Sequence, residues 1–174
     1  EIAWEFDTSN FGISPEFNFQ STPLMVNRTI YTTAGSRRAV VALDALTGEI
    51  LWVSRIDEGA RASSAPRKLS GRGLAWWDDG SKMGRIIYVT PGYQMIALNA
   101  ETGARLKDFG LEGIVDLKQE FDQSLDLETG EVGLHAAPII SNGVVIVGSA
   151  FRPGRMPTSR EKPKGHVRGY DAQT

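Results

Sequence analysis

Val41-Ala42-Leu43-Asp44-Ala45-Leu46-Thr47-Gly48-Glu49-Ile50-Leu51-Trp52 reads as a strand, a tight turn and the opening of a second strand. Residues 39–43 are apolar and rich in β-branched side chains, and 50–53 resume the apolar run. Between them, Asp44 and Thr47 offer short oxygens that bond nearby amides, and Gly48 is free to take positive φ. The same words return at Ile96-Ala97-Leu98-Asn99-Ala100-Glu101-Thr102-Gly103, and Val167-Arg168-Gly169-Tyr170-Asp171-Ala172-Gln173-Thr174 begins a third copy.

The segments ahead of these copies repeat as well. Ser21-Thr22-Pro23-Leu24-Met25-Val26-Asn27-Arg28-Thr29-Ile30-Tyr31 parallels Ala136-Ala137-Pro138-Ile139-Ile140-Ser141-Asn142-Gly143-Val144-Val145-Ile146. Each unit is a short meander of strands, too long for a solenoid coil and suited to a propeller blade. The expected fold is therefore an all-β propeller of four-stranded antiparallel blades with negligible helix. The expected blades are 1–53, 54–110 and an incomplete 111–174, a piece of a larger ring with open sheet edges.

Composition sets outer limits on function. A chain of 174 residues is ample for a core. Its 19 basic and 21 acidic residues leave a formal net charge of -2, which gives no electrostatic case for nucleic acid or an anionic membrane. The expected partner is a small molecule. The absence of cysteine excludes disulfides and thiolate-bound metals. No apolar run approaches the roughly 20 residues of a membrane helix. Glu1-Ile2-Ala3-Trp4-Glu5-Phe6 alternates like a strand already under way rather than opening a signal peptide.

Along the chain, Asn27-Arg28 reads as a turn joining two strands within 23–33, and turn formation is the better reading of Asn27-Arg28-Thr29 than a glycosylation acceptor. Residues 57–73 form a loop carrying Arg61, Arg67, Lys68 and Arg72, which on composition alone is a solvated surface. Strands are expected at 73–77, 85–90, 138–141 and 144–149. The acidic stretch 120–131 holds Asp126-Leu127-Glu128-Thr129-Gly130-Glu131, a mimic of the repeated turn, and reads as a solvated hairpin because it lacks the ligand alternation and central glycine of an EF-hand loop.

The pattern Ala-x-Asp-x-x-Thr-Gly-x-x-x-Trp, filled by Ala42, Asp44, Thr47, Gly48 and Trp52, resembles the tryptophan-docking motif of the pyrroloquinoline-quinone (PQQ) dehydrogenase propellers, which are eight-bladed, and the resemblance implies that Trp52 packs on a neighbouring blade. The second copy departs from it with Asn99 and with Lys107 in place of the tryptophan, leaving Phe109 as the candidate substitute. Ser70-Gly71-Arg72-Gly73-Leu74-Ala75-Trp76-Trp77 is similar to the Asn-Arg-Gly-Leu-Ala-Tyr-Trp segment of that family. The resemblance implies that Arg72 contacts the quinone oxygens, a task suited to a permanently charged group that donates to two oxygens at once. Gln20 stands where the family usually places a cofactor-bonding Glu, and His135 where methanol-type relatives place a cofactor-binding Thr. Each is equally readable as a structural hydrogen-bonder at a strand end.

Other positions bear on the branch of the family. Gly110-Leu111-Glu112-Gly113-Ile114-Val115-Asp116-Leu117 resembles an insertion of the membrane glucose, quinate and polyol dehydrogenase-like branch. Pro66 and Arg67 stand where alcohol-oxidising relatives carry a vicinal cysteine pair. Gly148-Ser149-Ala150-Phe151-Arg152-Pro153 lacks the Glu with which methanol-type relatives bind Ca²⁺, so no metal ligand carries over, and the general-base Asp is expected outside this chain. The resemblance implies a periplasmic oxidoreductase with PQQ and Ca²⁺, a sugar, polyol or other alcohol as substrate, a quinone or cytochrome c as electron acceptor, and the remaining propeller blades as partners. The competing readings are a non-catalytic propeller scaffold of the outer-membrane assembly type, for which Arg72 has no use, and a family member without cofactor.

Overall fold

The computed structural model describes residues 1–8, 11, 20–35, 37–66, 73–80, 83–134, 136–151 and 165–174. Strands β1 (Leu24–Val26), β2 (Thr29–Ala34), β3 (Ala39–Asp44) and β4 (Ile50–Ser54) form one antiparallel sheet in chain order. A second four-stranded sheet follows the same order with β5 (Ala75–Trp77), β6 (Arg85–Val89), β7 (Gln94–Asn99) and β8 (Ile114–Asp116). A third sheet pairs β10 (Ile139–Ser141), β11 (Val144–Val147) and β13 (Arg168–Asp171), while β9 (Val132–Gly133) and β12 (Ala150–Phe151) make a separate ladder. The innermost strands β1 and β10 both lie beside β5, which is how consecutive propeller blades meet at an axis. The all-β propeller reading holds, and the one helix among the described residues is a single turn, α1 (Ala60–Ser63).

The central strands are continuous apolar runs because both of their faces are covered, those of β3 by the second sheet on one side and by Trp4, Phe6 and Phe11 on the other. Val40, Val41, Ala42, Ile86, Ile87, Tyr88, Met95, Ile96 and Ala97 are all but inaccessible to solvent. The first and second sheets share one apolar layer containing Tyr31, Val40, Ala42, Ile86, Tyr88 and Ile96. The second and third share another, with Ile87, Met95, Phe109, Leu117, Val145 and Val147. In β11 burial alternates as the pleat requires, Val145 and Val147 facing the second sheet and Val144 and Ile146 facing outward.

Two expectations change. Residues 1–8 join no ladder among the described strands; instead Trp4 and Phe6 pack with Phe11 against Val41 and Leu43. The first sheet already takes its fourth strand from β4, so this segment lies across its face. The second sheet takes its outer strand from Ile114–Asp116, beyond the expected limit at 110. Leu111 and Ile114 exchange backbone hydrogen bonds across a tight turn that uses positive φ at Glu112 and Gly113 and returns the chain to β7.

The tryptophan contacts link neighbouring units. Trp52 Nε1 donates to Ala100 O at 3.0 Å, and a Cβ on Gly103 would stand 2.5 Å from the Trp52 ring. Trp4 repeats this on the preceding turn, with Nε1 donating to Ala45 O at 3.2 Å and its ring 2.6 Å from where a Gly48 Cβ would be. Trp4 was legible as the counterpart of Trp52, since Ile2-Ala3-Trp4 resembles Ile50-Leu51-Trp52. Between the second and third sheets Lys107 is exposed and pairs with Glu112. There, Phe109 is fully buried in the layer that holds Ala172, and Arg85 Nη1 donates to Gln173 O at 3.0 Å.

Candidate functional site

The register fixes two ends for the sheets. Strand β1 leaves one end near Thr22 and β2 returns there at Ala34, so the 35–38 turn, the start of β5, the 90–93 turn and the start of β10 share that end. The longer connections 55–74 and 117–138 leave and re-enter at the same end. Gln20, Arg72 and His135 all belong to segments entering innermost strands. Arg72 and His135 lie outside the described residues; Gln20 is described and exposed.

The described neighbours of these three positions meet. A Cβ on Gly73, whose φ is +114, would stand 3.0 Å from Thr22 O and 3.5 Å from Ala137 Cβ. Glycine permits this approach of three chains because a side chain would fill the space. Ser21 Oγ shares hydrogen bonds with Thr32 Oγ1 at 2.8 Å and Thr33 Oγ1 at 3.1 Å, which ties the segment after Gln20 to β2. Among the described residues, no three His, Asp or Glu side chains are grouped as a metal site.

Around this junction the 89–93 turn is bonded from all sides. Arg38 Nη1 donates to Val89 O at 3.0 Å. Glu58 accepts from Thr90 Oγ1 at 2.6 Å and from Gly92 N at 2.9 Å. Arg61 Nε donates to Gly92 O at 2.8 Å, while its two terminal nitrogens grip the Asp116 carboxylate, one of them at 2.9 Å. Burial works against the Asp116 anion, but the Arg61 hydrogen bonds, the Lys118 amide and two nearby positive charges outweigh it and hold the carboxyl below its usual range. Thus the segment read as a solvated basic loop contains a helical turn clamped to the second sheet.

The connection after Asp116 is anchored to the same turn. Leu117 N donates to Tyr93 O, Tyr93 Oη donates to Gly148 O at 2.7 Å, and the Arg168 guanidinium binds Leu117 O and lies 4.8 Å over the Phe121 ring. Burial raises the Tyr93 phenol above its ordinary value, which keeps it a neutral donor. Lys118 is buried and its Nζ donates to Leu127 O at 2.9 Å and Glu128 O at 3.3 Å. Its pKa is lowered, chiefly by that burial and then by the Arg61 charge. The 126–130 turn reproduces the repeated motif, with Asp126 Oδ1 accepting from Glu128 N and Thr129 N. Of these only the 126–130 turn was foreseen; the side-chain anchors were not, and Asp116 was read only as part of a family-like insertion.

Comparison with known proteins places the chain among its relatives. At 28% identity over 183 residues, all of the chain aligns with 24% of the glycerol dehydrogenase large subunit of Gluconobacter thailandicus. At 28% identity over 195 residues, 99% of it aligns with 23% of the quinate/shikimate dehydrogenase (quinone) of Acinetobacter baylyi. The chain therefore spans about a quarter of the length of these curated relatives. A europium-containing methanol dehydrogenase superposes with a TM-score of 0.67 at 23% identity, covering 100% of this chain and 25% of that one. BamB from Moraxella catarrhalis superposes with a TM-score of 0.51 at 14% identity, covering 86% of this chain and 36% of that one. At these identities both structures speak to the fold alone. The profile of the PQQ family described as the glucose/ethanol/alcohol dehydrogenase β-propeller domain matches residues 1–174, and the chain belongs to that family.

Proposed function

We propose that this chain forms part of the cofactor-binding end of a PQQ-dependent dehydrogenase that oxidises a sugar, a polyol or another alcohol. The observation that carries the reading is the approach of Gly73 to Thr22 and Ala137, because these residues neighbour Arg72, Gln20 and His135. A guanidinium, an amide and an imidazole at one axial site would suit an anionic ortho-quinone rich in acceptor oxygens. In this reading Arg72 donates to the quinone oxygens and stabilises the negative charge that develops there, while Gln20 and His135 fix the ring's orientation. The bound quinone supplies the two-electron acceptor for the alcohol carbon. The Trp4 and Trp52 contacts correspond to tryptophan docking, which would hold successive blades around the site.

Ca²⁺ is part of the proposal without ligands among the described residues, and the general-base Asp is assigned outside this chain. The proposed compartment is the periplasm and the proposed acceptor a quinone or cytochrome c. Matches to a glycerol and a quinate/shikimate dehydrogenase favour polyols and cyclic alcohols over methanol as the substrate class. The test is to reconstitute the full-length protein with PQQ and Ca²⁺, then follow dye reduction with glycerol, quinate, glucose, methanol and ethanol. Turnover with at least one polyol, sugar or cyclic alcohol at a higher kcat/KM than methanol or ethanol is expected. A preference for methanol or ethanol overturns the substrate class, and no PQQ-dependent reduction overturns the enzyme reading.

A further inference from the structure

Arg38 occupies an unusual place for a charged residue. It is 4% exposed, sits at the foot of the β2–β3 turn with φ 51, and reaches past the end of β6 to the connection that leads into β10. Nη1 donates to Val89 O at 3.0 Å and Nη2 to Leu134 O at 3.3 Å, partners 51 and 96 residues away in sequence. Taking a guanidinium out of water is costly unless its donors are used, and a planar fork can serve two carbonyls of separate chains where a lysine ammonium is a point donor on a flexible stem. Leu134 O belongs to the planar peptide group that joins Leu134 to His135. Val89 ends β6 and opens the turn that Glu58 and Arg61 also grip.

Resting on the functional reading above, we infer that Arg38 is a positioning residue for the cofactor site: it sets the entry of the third sheet's innermost strand, and with it the peptide preceding His135, relative to the first and second sheets. Arg38 itself need not touch the cofactor. Arg85 provides an internal control. It is 6% exposed and also spans two sheets, donating to Gln173 O at 3.0 Å and Asp108 Oδ2 at 2.8 Å, but it does so at the opposite end. If buried arginines here served only to staple sheets together, the two should behave alike.

The experiment uses the full-length protein in its cofactor-free form, with Arg38→Met, Arg38→Lys and Arg85→Met variants. Each is titrated with PQQ in the presence of Ca²⁺ and followed by tryptophan fluorescence, and the thermal midpoint of the cofactor-free form is measured alongside. Arg38→Met is expected to raise the Kd for PQQ at least about tenfold, Arg38→Lys to fall between it and wild type, and Arg85→Met to lower the midpoint with a Kd within about twofold of wild type. Unchanged Kd in both Arg38 variants, or an equal rise in Arg85→Met, overturns the inference while the functional reading stands. If Arg38→Met does not fold, an unchanged Kd in Arg38→Lys is sufficient to overturn it. Wild-type protein that binds no PQQ overturns the functional reading and the inference together.

Discussion

The two ends of the sheets are built by different means. At one end the turns are short and nearly interchangeable. Asp44 Oδ1 accepts from Leu46 N and Thr47 N, Asn99 Oδ1 from Glu101 N and Thr102 N, and Asp171 Oδ1 from Gln173 N and Thr174 N. Each bond spans two or three residues. At the other end two short turns sit beside long connections that are unlike one another, and these are held by side chains reaching tens of residues away: Arg61 to Asp116, Glu58 to Thr90, Arg38 to Leu134. The repeated end makes a regular scaffold from local chemistry, which leaves the other end free to vary and to carry a site.

The largest expected effect tests how far the regular end depends on its glycines. Gly103→Ala would drive a Cβ into the Trp52 ring and place it at φ 70, so a loss of about 3 kcal/mol is expected from overpacking and left-handed strain together. Gly143→Ala, at φ 75 with open space around it, isolates the backbone part, and about 1 kcal/mol is expected. Urea unfolding of the full-length variants measures both. Equal losses would mean that the indole contact contributes nothing.

At the irregular end, Arg61→Met should cost about 2 kcal/mol by leaving Asp116 unpaired in a partly buried place, and should speed proteolytic cleavage within 55–66. The pH dependence has a definite sign. Asp116 has a depressed folded pKa, so the pair's contribution is complete above the ordinary carboxylate value of 3.8 and declines as pH falls through the folded value. The stability difference between wild type and Asp116→Asn should therefore be flat above that value and shrink below it. A difference that shrinks nearer neutrality would assign the stability to another group.

The same division explains what could be read from the sequence. The hairpin at 39–54, the Asn27 and Gly48 turns and the second copy at 96–103 follow from period-two apolar runs and turn residues a few positions apart, whereas the packing of Trp52 came from likeness to a family motif. The Arg61–Asp116 clamp, the Glu58 bonds and the span of Arg38 carry no local signal, because each joins residues whose proximity exists only once the sheets are side by side. Strand β8 was hidden for a related reason: Ile114–Asp116 is three residues long and only partly buried, so nothing in its pattern separates it from a loop. For the candidate site, Gln20, Arg72 and His135 came from a likeness to a family, and their matching positions in successive repeats led to the expectation of one axial face; the described neighbours Thr22, Gly73 and Ala137 do meet, while Arg72 and His135 lie outside the described residues.

The smallest expected effect is at the turn of the second copy. Asn99→Asp replaces one Oδ1 acceptor with another for the same two amides, on an exposed turn, and should change stability by no more than about 0.5 kcal/mol. A larger change in urea unfolding would show that the repeated turns are not interchangeable after all.

The tryptophan contacts also give the molecule a direction in time. Trp52 lies in the last strand of one sheet, yet its indole bonds to Ala100 O and rests on Gly103, near the end of the next. A chain emerging from the ribosome therefore finishes the first sheet while the surface that receives its indole is still unmade, and the apolar layer with Tyr31 and Val40 closes only after about fifty more residues have been synthesised. Each completed sheet waits on its successor, so folding advances by handover rather than unit by unit. A stall in translation within 55–100 would leave Trp52 as exposed apolar surface, the form in which nascent chains recruit chaperones.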